Sequence, residues 1–241
     1  MALTPQSAWV AAQPTALRLL RCFELRRADT PAVVPGNVQR LLAFLALRQG
    51  PQHRITVAGT LWMESTDEKA AANLRTAIWR ARRIDPELVC SAGAYLQLGD
   101  HVQIDFIDIV ERARSLVEAT DEQSPKVTIG ELAGELLPEW YDEWVLLERE
   151  RLRQIRLHGL EALCRQLARR GRYSMAIDAG LVAVGAEPLR ESAHRALIQA
   201  HLAEGNLAEA VRQYDSFASL LCENLGVEPS PALRALVAPH R

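Results

Sequence analysis

Cationic, hydroxyl and aromatic side chains recur at helical spacing in residues 68–83, EKAAANLRTAIWRARR. Their groups are forked guanidinium donors, a hydroxyl and an indole, and DNA phosphates and guanine edges accept hydrogen bonds from such groups. On one helix they would share a face: Arg75, Thr76, Trp79, Arg82 and Arg83, with Arg80 on its flank. The opposite face is an apolar stripe that a core would bury: Leu74, Ala77, Ile78 and Ala81. The spacing predicts one helix with a buried face and a face suited to DNA.

A basic helix face alone is also typical of a solvated surface helix, so the neighbouring segments decide between the two interpretations. Ser65, Thr66 and Asp67 precede the segment and are good N-cap residues. A shorter helix is predicted just before them, around Leu61 and Trp62. A short helix, a brief connection and a longer basic helix follow the order of a helix-turn-helix.

A β-hairpin is predicted directly after the basic helix. Residues 88–90 and 95–98 are strand-like and flank Ser91, Ala92 and Gly93. A hairpin in this position is a wing, which can place backbone or short polar groups beside groove phosphates. The order of the predicted elements, the spacing of the basic residues and their charge together favour a DNA-binding helix over an ordinary solvated surface helix.

The beginning of the chain supplies the remaining elements of this first domain. Residues 1–16 contain neither a basic region nor a continuous apolar stretch, so we expect a flexible tail and no signal peptide. Residues 17–25 predict a strand, and residues after Asn37 predict a helix. The core positions of that helix are predicted to be Leu41, Leu42, Leu45 and Ala46.

Composition agrees with a soluble globular protein: 49% of residues are hydrophobic and 24% are charged. The net charge of −2 gives no overall electrostatic case for nucleic acid. Residues 1–108, however, hold 12 Lys and Arg against 10 Asp and Glu, whereas residues 109–241 hold 16 against 20. The four widely spaced cysteines and the lack of a long apolar run predict a cytoplasmic protein with no membrane contact. The predicted DNA binding would make it nucleoid-associated.

From about Asp108 the strand signals end and helix formers dominate, which predicts an all-helical second domain. Helices are predicted over residues 107–119, 129–137 and 140–164, with a loop over residues 121–125. Trp140 and Trp144 are predicted to pack together. A 34-residue repeat, typical of tetratricopeptide helix pairs, relates two sets: Leu163, Gly171, Ala176 and Ile177, and Leu197, Gly205, Ala210 and Val211. Such pairs either bind proteins or simply brace the first domain.

No enzyme is predicted, and no cofactor or metal is expected. Ser/His/Asp, Cys/His and metal-spaced sets are missing, and His194 and His201 share a helix without further ligands. No GxxxxGK[ST] motif occurs, so nucleotide hydrolysis is not expected.

The chain resembles the Streptomyces antibiotic regulatory protein family of transcriptional activators from residue 17 onward. The resemblance rests on the segments NLRTAIWRARR, GAYLQL, LPEWYDEWVLLERERLRQ, GRYSMAI, EPLRESAHRALIQAHLAEGN and QYDSFASLLCENLGVEPSPALRAL. It implies an OmpR-type winged helix-turn-helix over residues 17–108. A tetratricopeptide-like bacterial transcriptional activator domain then follows over residues 109–241, so the fold is α+β and then all-α, mainly α overall.

The resemblance further implies an activator that binds direct repeats in double-stranded DNA near promoters of biosynthetic gene clusters and recruits RNA polymerase holoenzyme. Two copies, a homodimer on DNA, would occupy the repeat. Residues predicted to approach base edges are Arg75, Thr76, Trp79 and Arg82, with Trp79 alternatively lying flat on the wing. Phosphates would be bound by Lys69, Arg80 and Arg83, and the groove beside the wing would meet Ser91 and Gly93. Asn73, in the same motif, is counted with the DNA-binding residues.

Two rival functions stay open at this point. The first is a tetratricopeptide adaptor whose first domain binds protein, and the second is a regulator whose helical domain holds a ligand that gates DNA binding. DNA binding that weakens steeply with salt separates the main hypothesis from the adaptor, because bound phosphates release counterions.

Overall fold

The computed structural model describes residues 14–118 and 127–240, which pack into two units. In the first unit the described residues are 14–106 and 136–148. In the second unit they are 107–118, 127–135 and 149–240. The first unit mixes strands and helices and the second is helical, so the predicted fold class is confirmed. Residues 1–13 and the predicted loop at 121–125 lie outside the described residues.

Two small sheets frame the first unit. The strands are β1 Thr15–Arg18, β2 Glu24–Arg27, β3 Thr30–Pro31, β4 Gln52–His53, β5 Val89–Ala92, β6 Tyr95–Leu98 and β7 Val102–Ile104. One sheet has the order β3-β2-β1-β7, in which β1 and β7 run parallel and Leu17 lies opposite Ile104. The other has the order β4-β6-β5 and is antiparallel.

The strand predicted over residues 17–25 is wrong, because the chain reverses within it. Arg21 has a positive φ of 74°, and β1 and β2 pair antiparallel around that turn with Leu17 opposite Leu25. Thr15 and Ala16, which the sequence assigned to the flexible tail, are the first residues of β1. Hydrogen bonding to both β2 and β7 holds them in the sheet.

Three helices enclose the core of the first unit: α1 Gly36–Arg48, α2 Arg54–Leu61 and α3 Asp67–Ile84. The predicted core positions of α1 are buried, as is the predicted apolar stripe of α3. Both predictions are therefore confirmed. Because α3 packs on α1 and α2 along that stripe, its basic face is left outside the core.

Residues 136–148 pack with the first unit, whereas the sequence placed everything after 108 in the second domain. Contacts between aromatic rings hold these residues against the first unit. The Trp140 ring stacks on Phe23 at 6.1 Å and meets Trp144 edge-on at 6.3 Å, as the predicted tryptophan pair requires. Trp144 in turn lies 5.4 Å from Phe44 of α1.

The helices that follow are α4 Asp105–Glu118, α5 Ile129–Leu132, α6 Glu143–Arg169, α7 Tyr173–Ala186, α8 Glu191–Glu204, α9 Leu207–Leu225 and α10 Pro231–Val237. A 3-10 turn follows at Ala238–His240. The helix predicted at 129–137 is only one turn, closed by a capping box between Thr128 and Glu131. The helix predicted at 140–164 begins and ends later, at Glu143 and Arg169.

The repeat predicted at a period of 34 residues corresponds to matching turns between helices. Gly171 and Gly205 follow α6 and α8 with φ of 70° and 87°, a conformation that glycine adopts without strain. Ala176 and Ala210, one period apart, are both fully buried. The core around the last three helices is apolar and comprises Ile198, Ala210, Tyr214, Phe217, Leu221, Leu233 and Val237.

Candidate nucleic-acid interface

The basic helix α3 is fixed at both ends. Its N-cap is Thr66, whose hydroxyl accepts a hydrogen bond from the Lys69 backbone N–H at 3.4 Å. Acidic residues occupy the first turn and Arg82 and Arg83 the last, which complements the helix dipole. At the far end, the Arg27 guanidinium donates to the Ile84 carbonyl at 2.8 Å.

A buried carboxylate secures the C-cap of α3. Asp85 accepts hydrogen bonds from the Glu87 backbone N–H at 3.0 Å and from the Thr15 hydroxyl at 3.3 Å, and it lies 3.0 Å from His101 Nε2. Burial alone would raise the pKa of Asp85, but the Glu87 N–H, His101 and the Arg27 charge together lower it below its ordinary value. Asp85 therefore ties the end of α3 to β1 and to the chain before β7.

Every residue predicted to bind DNA is exposed in the structure: Lys69, Asn73, Arg75, Thr76, Trp79, Arg80, Arg82, Arg83, Ser91 and Gly93. Eight of them project from α3 and two belong to the hairpin of β5 and β6. The burial of the opposite face fixes this orientation, because a rotation of the helix would expose the apolar stripe. The surface formed by these ten residues is called the basic face below.

The side chains of the basic face differ in how they are held. Thr76 donates to the Ala72 carbonyl at 3.0 Å, and Arg80 donates to Asn37 Oδ1 at 3.3 Å. Trp79 is 59% exposed, and the Arg83 guanidinium lies over its ring, 5.0 Å from the centroid. This cation–π contact occupies one face of the indole and presents aromatic and cationic groups side by side.

Arg82 points toward the hairpin. Its Nε donates to the Val89 carbonyl at 3.1 Å and its Nη2 donates to the Ser91 hydroxyl at 2.8 Å. The sequence assigned Arg82 to base edges with Arg75. Within the described residues Arg75 has no hydrogen-bonded or ionic partner, so of the two it is the side chain free to extend.

The hairpin itself is the predicted wing, with Gly93 at its turn. Ala92 and Tyr95 pair across the two-residue turn, and Gly93 has a φ of 58°. Residues 91–95 are all exposed. The tip is tied to α2, because the Arg54 backbone N–H donates to the Ala94 carbonyl at 2.8 Å.

Arg54 belongs to this surface, and the sequence did not identify it. It is the first residue of α2. Its guanidinium donates to the Ser91 hydroxyl at 3.1 Å. Together with Arg75 it also lines an open groove of about 520 Å³ between α2 and α3. The only local signal for Arg54 is a cation just before a predicted short helix.

Pairing with carboxylates distinguishes the basic face from four other arginines of the first unit. These four lie within 4.0 Å of a carboxylate: Arg18 and Arg26 at Glu24, Arg40 at Asp142, and Arg48 at Glu148. Across residues 14–118 and 127–240, no carboxylate pairs with the cations of the basic face or its neighbour: Lys69, Arg54, Arg75, Arg80, Arg82 and Arg83. This surface therefore holds positive charge that the chain does not neutralise.

The described residues contain neither a group of metal-binding side chains nor a membrane-spanning helix. Among them, no group of three or more His, Cys, Asp or Glu side chains could hold a metal ion. Within the same part of the chain, every helix is too short or too polar to cross a bilayer.

An amphipathic basic helix, a short helix before it and a hairpin after it define a winged helix-turn-helix, here followed by tetratricopeptide-like helices. Residues 106–239 match the family model of the bacterial transcriptional activator domain. The chain belongs to this family, as a transcriptional regulator of the Streptomyces antibiotic regulatory protein type.

Curated relatives include the regulatory protein AfsR of Streptomyces coelicolor, 31% identical over 227 residues that cover 88% of this chain and 22% of that protein. AfsR of Streptomyces griseus is 30% identical over 233 residues, which cover 91% of this chain and 23% of that protein. The chain thus spans less than a quarter of the length of these relatives.

A solved structure of Mycobacterium tuberculosis EmbR, in complex with a low affinity phosphopeptide, has the same fold. The TM-score is 0.78, the identity is 21%, and the match covers 94% of this chain and 64% of that one.

Proposed function

We propose that this transcriptional regulator is a sequence-specific DNA-binding activator in which α3 enters the major groove and the wing lies over adjacent phosphates. The observation that carries the proposal is that no carboxylate of the described residues pairs with the cations of the basic face, whereas four other arginines of the first unit do pair with carboxylates. A surface of guanidinium donors that are not paired with carboxylates matches the polyanionic backbone of DNA.

Arg75, Thr76 and Trp79 are proposed to meet base edges, because they lie on the exposed side of α3. Lys69, Arg80 and Arg83 are proposed to contact phosphates, with Asn73 between them on the same face. A guanidinium that forms two hydrogen bonds with guanine discriminates against the wrong base by about 1–3 kcal/mol. A single winged helix reads few bases, so we propose that two copies occupy a direct repeat.

The test is selection of bound sequences from a random duplex library by the full chain, followed by footprinting of the selected site. We expect a protected direct repeat and a binding constant that falls linearly with salt on logarithmic axes. Arg75→Ala should cost about 1–3 kcal/mol, mostly at one base position. Arg18→Ala, which removes a paired arginine outside the basic face, should leave affinity nearly unchanged.

Protein contacts are assigned to the helical second unit, which we propose recruits RNA polymerase holoenzyme to promoters of a biosynthetic gene cluster. Stacked helix pairs form the kind of surface that binds proteins. Transcription in vitro from a promoter carrying the selected repeat should rise when the chain is added. A chain that binds DNA without raising transcription would leave the DNA-binding proposal in place and remove the recruitment step.

A protein-binding adaptor is the competing function. It predicts that no duplex is enriched from the random library.

A further inference from the structure

Two arginines from different elements converge on one hydroxyl near the turn of the wing. Arg54 Nη2, at the start of α2, donates to Ser91 Oγ at 3.1 Å. Arg82 Nη2, near the end of α3, donates to the same oxygen at 2.8 Å. The two nitrogens are therefore at most roughly 6 Å apart, a separation at which like charges repel.

Each member of this group is held in place by a second contact. The Arg82 Nε donates to the Val89 carbonyl, and the Arg54 backbone N–H donates to the Ala94 carbonyl. Ser91 lies within β5 and pairs with Leu96 of β6. The convergence is therefore built by three elements before any ligand arrives, which reduces the ordering cost of binding.

The group presents donors and no acceptor. A serine hydroxyl has two acceptor lone pairs and one proton. Ser91 Oγ accepts from both guanidinium groups here, which leaves the hydroxyl proton available to a third group. Most of the five N–H donors on each guanidinium also remain available. A site made only of donors, with two positive charges that no carboxylate of the described residues pairs with, is complementary to an oxyanion.

We infer that Arg54, Ser91 and Arg82 form a clamp for a single phosphate of the DNA backbone beside the wing. The inference rests on the proposed DNA-binding function and adds Arg54 to its binding residues. It also changes the expected role of Arg82 from base reading to phosphate binding. A contact of this kind fixes the position of the protein on the duplex without reading sequence.

The salt dependence of binding to a random-sequence duplex tests the clamp directly, because each phosphate contact contributes about 0.9 to the logarithmic slope. The full chain is compared with Arg54→Ala, Arg82→Ala and the double variant. If both arginines share one phosphate, the double variant loses about 0.9 of slope rather than the roughly 1.8 that two separate contacts require. The loss should be equal on the selected site and on random duplex.

Ser91 supplies a matched pair of variants. Ser91→Ala removes the shared hydroxyl and should weaken binding about tenfold on any sequence. Ser91→Thr keeps the hydroxyl, suits a strand, and should retain affinity close to that of the unaltered chain. The thermal midpoint of each free variant is measured beside the affinity, because a brace for the wing would lower the midpoint and leave the salt slope unchanged.

The outcomes are distinguishable. A loss of roughly 1.8 in the double variant, or an unchanged slope in all of them, overturns the clamp while DNA binding stands. An unaltered chain that binds no duplex with a salt-dependent constant removes the proposed function itself.

Discussion

His194 of α8 lies face to face with Phe217 of α9, with ring centroids 4.0 Å apart and 24° between the ring planes. Its Nε2 donates to the Pro188 carbonyl at 2.9 Å, and its Nδ1 accepts from the Gln213 amide at 2.8 Å. Both bonds are satisfied by the neutral imidazole. Burial lowers the pKa of His194 and outweighs the opposing effect of the Pro188 carbonyl.

We predict that the helical second unit becomes less stable as pH falls below 6.5, the ordinary pKa of this group. The unfolded chain protonates His194 first, and the folded chain follows only at its lowered pKa. Between the two values the unfolded state binds more protons, so the free energy of unfolding rises with pH across that window. His194→Gln removes the titrating group and should flatten this part of the profile.

Urea unfolding at a series of pH values measures the effect. Far-UV ellipticity is the suitable probe, because tryptophan fluorescence would not report on the helices after residue 149. All five tryptophans of the sequence precede that residue: Trp9, Trp62, Trp79, Trp140 and Trp144. An identical pH slope in His194→Gln and the unaltered chain would assign the dependence to other groups.

The crossing of α7 and α8 depends on Gly180. A Cβ at this position would lie 3.1 Å from Leu197 Cβ and 3.3 Å from its Cα, so alanine requires the helices to separate. Alanine is favoured over glycine within a helix by about 1 kcal/mol, but overpacking costs about 1–3 kcal/mol. We therefore predict that Gly180→Ala lowers the free energy of unfolding.

Gly185 is the matched control, since it lies in the same helix with nothing within 4 Å of an added Cβ. Gly185→Ala should raise stability by up to about 1 kcal/mol. Far-UV melting of both variants gives the comparison, and stabilisation by both would show that the crossing has room for a methyl group.

Residue spacing predicted the parts of this fold that are local. The spacing of neighbouring residues was enough to predict three features. They are the apolar stripe of α3, the hairpin around Gly93 and the 34-residue repeat. The pairing of β1 with β7 was not predicted, because these strands are four and three residues long and are distant in sequence. The packing of residues 136–148 was also missed, since aromatic contacts with Phe23 and Phe44 carry no periodic signal.

For the candidate site, the sequence located the exposed face but not the direction of its side chains. Arg82 shares helical spacing with Arg75, yet the wing draws it toward Val89 and Ser91. Arg54 and Ser91 are 37 residues apart, and only the folded hairpin brings them together. Helical periodicity gives the face on which a residue lies, whereas the partner of a long side chain depends on the neighbouring elements.

The start of α4 is anchored by Asp105, whose carboxylate accepts hydrogen bonds from the backbone N–H groups of Leu19 at 2.8 Å and Leu20 at 3.2 Å. Burial raises the pKa of Asp105, and these donors offset the effect only in part. Asp105→Ala leaves both N–H groups without their acceptor, so we predict a loss of about 1–3 kcal/mol in the free energy of unfolding of the first unit. Asp105→Asn, which keeps one acceptor oxygen, should cost less.

Tryptophan fluorescence during urea unfolding follows the first unit, because the described tryptophans all lie within it. Asp108→Ala, an exposed carboxylate on the same helix, controls for the general effect of removing an acid near the helix N-terminus and should change stability by less than about 0.5 kcal/mol. Equal losses in Asp105→Ala and Asp108→Ala would mean that the helix dipole, rather than the bonds to Leu19 and Leu20, accounts for the contribution of Asp105. A loss confined to Asp105→Ala, and halved in Asp105→Asn, would establish that the hydrogen bonds from Leu19 and Leu20 account for the contribution of Asp105.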